Sequence, residues 1–149
     1  MMMTEMKWGR MRLPLWLWAV AGLGVAWNLF GIAQLVDFAT QTRASLMMKG
    51  MSAAAADLYY GLPVWMTLAF AVGSGGGLLG SVTLACRRSA TIPILALSLA
   101  GYLALFAGDY AYGVFAAIPG QMAVLVIVVA IAALLLAAGL RARQRGLID

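Results

Sequence analysis

Four long apolar runs divide the chain, and each is opened by one of its four prolines. The runs cover 13–36, 62–85, 92–115 and 122–140, with Pro14, Pro63, Pro93 and Pro119 at or just before their starts. A helix accepts proline in its first turn, where the backbone N–H lacks an intrahelical partner in any case. A run of about 20 apolar residues, rising about 1.5 Å per residue, crosses a hydrocarbon core of roughly 30 Å. Only Asp109 places a charge inside any run. The expected fold is therefore all-α, a transmembrane four-helix bundle made by a single integral membrane domain over residues 1–149. Composition points the same way: 64% of the residues are hydrophobic and 10% charged, more apolar surface than a soluble domain of this size can hide.

Basic residues set the expected orientation. Eight of the ten Lys and Arg lie at one end of the bundle, as Lys7, Arg10 and Arg12, then Arg87 and Arg88, then Arg141, Arg143 and Arg145. The other end carries only Arg43 and Lys49. The positive-inside rule then puts both termini in the cytoplasm and the segment 37–61 outside, which in a bacterium is the periplasm. The net charge of +5 is thus a matter of topology, and no nucleic-acid partner is expected. The first run continues unbroken past Ala19, Val20 and Ala21, so it is expected to remain a span rather than be cleaved as a secretory signal.

The 37–61 segment is the only sizeable connection; Arg87-Arg88 and the uncharged stretch 116–121 read as tight hairpins. Within the long segment Met47, Met51, Ala54 and Leu58 recur at helical spacing. A short interfacial helix and a loop packed on the helix ends both fit, with Gly50 marking a break. Without His or a nearby Cys, the methionines there are packing residues rather than a copper site.

The second run is rich in small residues. Gly73, Gly76, Gly77 and Gly80 give small-xxx-small spacings that let helix backbones approach closely, and Ala100, Ala104 and Gly108 offer the same spacing on the third run. These two faces are the expected packing partners. The alternative is an unwound glycine segment lining a solute path.

Polar residues of the spans gather toward the outer end. Asn28 lies about 22 Å along the first run and Asp109 about 24 Å along the third, with Tyr110 beside it. Gln34, Asp37, Asp57, Tyr59 and Gln121 would reach the same surface. Asn28, Asp109 and Tyr110 are the candidate polar site, either as an outward vestibule or as ordinary interfacial solvation. Trp8, Trp16, Trp18, Trp65, Tyr59 and Tyr60 fall near the interfaces, where amphipathic rings are at home.

Several residue groups resemble a known family. They are Trp27-Asn28 with Gly31, Leu58-Tyr59 with Pro63 and Trp65, the glycine run ending in LLGSVTLACRR, the PILALSLAG stretch from Pro93 to Gly101, and the closing Arg145-Gly146. Together they resemble a family of small four-span proteobacterial inner-membrane proteins often labelled "sugar transporter". The resemblance implies a membrane fold and carries no assigned binding residue.

With no His and a single Cys, an intramolecular disulfide, a His-ligated haem or zinc, and a Cys-His pair are excluded, and no catalytic residue, metal or cofactor is expected. The expected role is an accessory or interaction subunit of a membrane assembly, in contact with lipid and with a membrane-protein partner or further copies of itself. The alternative is a small oligomeric transporter of a polar solute such as a sugar.

Overall fold

The computed structural model describes residues 12–149; Lys7, Trp8 and Arg10 lie outside the described residues. Seven helices follow one another among these: α1 (Leu15–Thr40), α2 (Arg43–Met48), α3 (Ala53–Tyr60), α4 (Val64–Ala85), α5 (Thr91–Ala111), α6 (Val114–Ala117) and α7 (Gln121–Gln144). The four long ones are long and apolar enough to span a membrane, and they pack against one another as an all-α four-helix bundle. The protein is a multi-pass integral membrane protein.

Pro14 and Pro63 stand directly before α1 and α4, and Pro93 occupies the first turn of α5. The first long helix runs on to Thr40, which moves Asn28 from the expected outer end to the middle of its helix. The third ends at Ala111 rather than 115, because Gly113 (φ +75°) turns the chain into the short α6. Gly120 (φ +85°) then starts α7, so this connection is a structured corner and not a bare hairpin.

Past the end of α1 at Thr40, the rest of the 37–61 segment forms two short helices. In α2 the Thr42 hydroxyl accepts from the Ser45 N–H while Ser45 reaches back to the Thr42 N–H, a reciprocal cap. Gly50 (φ +94°) breaks the helix, and Ser52 caps α3. Lys49 pairs with Asp37 at 2.6 Å and Arg43 with Asp57, tying both helices to the end of α1 and to each other.

α4 is helical through all its glycines, and close backbone approach is their use. They serve two neighbours. Along the antiparallel α1–α4 seam, Gly24 faces Ser81, Asn28 faces Gly77, and Gly31 faces Ser74. At each level a side chain from one helix occupies the space a glycine leaves on the other. The three inserted polar side chains stay satisfied: Asn28 donates to the Gly24 carbonyl at 2.8 Å, Ser81 to Gly77 at 2.8 Å and Ser74 to Phe70 at 2.9 Å.

On the other side, Gly73 lies under the Tyr102 ring, Gly76 against Ser98 and Gly80 against Leu95 of α5. Ser98 donates to the Gly73 carbonyl at 2.5 Å, a hydrogen bond between helices. The expected pairing of one glycine face with Ala100 and Ala104 is corrected here. Gly77 faces α1, and Ala100 and Ala104 are exposed. The face α5 buries is Leu95, Ser98, Gly101, Tyr102, Leu105 and Gly108, one helical stripe that includes the two glycines.

The ends that carry the termini are knotted together. Leu17, Ala21, Leu84, Ala142, Leu147 and Ile148 form one buried cluster, Arg87 Nε donates to the Leu147 carbonyl at 2.8 Å, and the Arg145 guanidinium sits 5.8 Å from the Trp16 ring centroid.

A Cβ added at Gly101 would lie 2.8 Å from the Ala69 carbonyl oxygen and from the Gly73 nitrogen, both backbone atoms that cannot step aside. Gly101→Ala should therefore cost roughly 1–3 kcal/mol in reversible unfolding in mixed micelles. Ala100→Leu, one residue away on the exposed face, should stay within about 0.5 kcal/mol of the parent.

Candidate functional site

α1 packs chiefly on α4, and α7 chiefly on α5. Toward the terminal end α1 and α7 meet, with Gly24 against Leu135 and Leu17 clustered with Ala142. Toward the other end a cavity of about 380 Å³ lies between them. α1 supplies one wall from Trp27, Phe30, Gly31, Gln34, Asp37, Phe38 and Gln41, residues three or four apart on one helix stripe. Val124, Leu125 and Val128 of α7 form the opposite wall, with Phe70 of α4 and Tyr102, Leu105 and Asp109 of α5 behind. Tyr59 of α3 and Gln121 of α7 complete the mouth.

The cavity is graded along its depth. Trp27 stands at mid-helix and Val128 about two turns into α7, among apolar neighbours, whereas Asp37, Gln41, Tyr59 and Gln121 sit at helix ends near the mouth. The aromatic wall is braced by edge contacts, Phe38 to Tyr59 at 5.3 Å and Phe38 to Phe70 at 6.0 Å between ring centroids.

Asp109 is 2% exposed, and Gln121 Nε2 donates to its Oδ2 at 3.1 Å. Its carboxylate is turned inward against Gln121 rather than outward from the bundle. The start of α7 places Gln121 beside it. The other two candidate residues lie elsewhere: Asn28 is buried against Gly77 on the α1–α4 seam, and Tyr110 is 76% exposed and outside the cavity lining. Of the wider polar group, Gln34, Asp37, Tyr59 and Gln121 do line the cavity with Asp109, while Asp57 is held away by Arg43.

Burial and then the negative charges of Asp109 and Asp37 push the Tyr59 hydroxyl up to about 12. It remains a neutral hydrogen-bond donor through the whole physiological range. Arg43 and Asp57 shift in the directions their mutual hydrogen bond dictates, the guanidinium upward and the carboxyl downward.

The aromatic residues Trp27, Phe30, Phe38, Phe70 and Tyr102 are the part of the site that polar-residue reasoning misses. A recurring signal exists for α1 alone, where cavity residues repeat at helical spacing from Trp27 to Gln41. No family model, curated protein or solved structure matches the chain.

Tyr59→Phe should remove one phenol from the ultraviolet titration near pH 12. Because the folded-state pKa is raised, the stability this group contributes is full below pH about 10 and is lost as pH rises toward about 12. Asp109→Asn should lower the Tyr59 titration point without returning it to the ordinary value, since burial is the larger cause.

Proposed function

We propose that the protein is a small accessory component of a bacterial inner membrane that holds a small ligand in the α1–α7 cleft, with both termini cytoplasmic. One observation carries this reading: the cleft is blind. It reaches from the α2–α3 end to Trp27 and Val128, and below that level Gly24 and Leu135 touch and the Leu17–Ala142 cluster seals the bundle. A site closed toward the terminal end suits capture and presentation better than passage.

Charge supports the orientation. Among the described residues Arg12, Arg87, Arg88, Arg141, Arg143 and Arg145 share the terminal end, while the two basic residues at the cleft end are each matched by a carboxylate. The cleft lining supplies carboxylates, amides, phenols and apolar groups, with no nucleophile and base in partnership, which favours binding over catalysis. The resemblance to the four-span proteobacterial family supports the choice of membrane.

A second reading, an oligomeric transporter of a polar solute such as a sugar, draws on the aromatic wall and the amide groups of Gln34, Gln41 and Gln121. Sidedness separates the two. In a Cys86→Ala background, Gln34→Cys should react with a membrane-impermeant maleimide added outside intact spheroplasts and stay silent in inside-out vesicles. Reaction from both faces would favour alternating access and transport. Reaction only in inside-out vesicles would reverse the proposed orientation.

A further inference from the structure

The cleft combines features that select the charge of its occupant. Asp109 is 2% exposed and its hydrogen-bond partner, Gln121, is neutral. Among the described residues neither Lys nor Arg lines the cavity, and the chain has no His. The two basic residues at this end are engaged, Lys49 by Asp37 and Arg43 by Asp57. A buried carboxylate without a cation is costly, and a bound cation is one way to offset that cost.

The walls point the same way. Trp27, Phe30, Phe38, Tyr59, Phe70 and Tyr102 all line the space that Asp109 enters. Ring faces attract cations, most strongly when the cation is poorly hydrated and the site is dry. At the rim between α1 and α7, Phe30 is 57% and Val124 56% exposed, so the slot opens sideways toward acyl chains. An occupant with an apolar portion can leave it in that slot while its charge stays within.

Resting on the reading of the cleft as a ligand site, we infer that it takes a monovalent organic cation, an ammonium-type group bearing an apolar substituent, held by Asp109 and the surrounding rings. Such a group comes from a soluble lipophilic cation or from an ammonium lipid headgroup; the shared chemistry is a weakly hydrated positive charge.

The test uses the full chain as Gln34→Cys with Cys86→Ala in dodecyl maltoside micelles, and tetraphenylphosphonium as the probe. Tetraphenylborate, of like shape and opposite charge, is the comparator. Tetraphenylphosphonium at about ten times its dissociation constant should slow maleimide labelling about tenfold. Tetraphenylborate should leave the rate unchanged, and Asp109→Asn in the same background should remove the protection. Competition by phosphatidylethanolamine but not phosphatidylglycerol would identify the lipid headgroup as the source; no competition by either would identify the soluble cation.

Protection by both ions, or by tetraphenylborate alone, would overturn the choice of a cation. So would ready labelling with no protection by either, which would show the cleft to be open without a cation in it. A Gln34→Cys thiol that does not label at all would count against the open cleft and so against the binding reading itself. The comparison of the two ions on the parent protein decides the matter even if Asp109→Asn folds poorly.

Discussion

At three successive levels a glycine on one helix receives a polar side chain from its neighbour: Ser81 at Gly24, Asn28 at Gly77, Ser74 at Gly31. In a bilayer the surrounding chains are as apolar as a leucine core, so helices gain little by hiding hydrophobic surface from one another. Close dispersion contact and satisfied polar groups must hold them instead. The α1–α4 seam provides both, since each inserted side chain fills the opposing notch and donates its hydrogen bond to its own helix. Gly73, Gly76 and Gly80 turn a second such face of α4 toward α5.

The cleft follows from that arrangement. With α1 held to α4 and α7 held to α5, the contact between α1 and α7 depends on the terminal end, where the folded-back Leu147 and Ile148 join Leu17 and Ala142. Above Gly24 and Leu135 large rings and branched side chains line the seam. They make the wall of a cavity instead of a packed core. The short helices α2 and α3, fixed by the Lys49–Asp37 and Arg43–Asp57 pairs, bring Tyr59 to its mouth.

Spans, prolines and the break at Gly50 were legible in the sequence because each reports on local backbone chemistry. The choice of partner for each glycine was not. Small-xxx-small spacing shows that a face permits close approach, but Gly76 and Gly77 are adjacent and point to different neighbours. Ala100 and Ala104 have the spacing and lie on the exposed side, while Gly101 and Gly108 mark the true face of α5. The polar end of the site was similarly visible in Gln34, Asp37, Tyr59, Asp109 and Gln121, whereas Asn28 and Tyr110 were grouped with it by height along the helix alone. Height does not specify azimuth, and azimuth decides which side chain faces a cavity, a seam or lipid.

The α1–α4 seam is tested most directly by a double-mutant cycle at its central level, with Gly77→Ala and Asn28→Ala measured singly and together by reversible unfolding in mixed micelles. A Cβ at Gly77 collides with the Asn28 carboxamide, so Gly77→Ala alone should destabilise the protein, and shortening Asn28 should relieve the clash. The double variant should then be more stable than the sum of the single effects by about 1 kcal/mol or more. Strict additivity would contradict the account, because the two residues would not share the space on which the bundle depends.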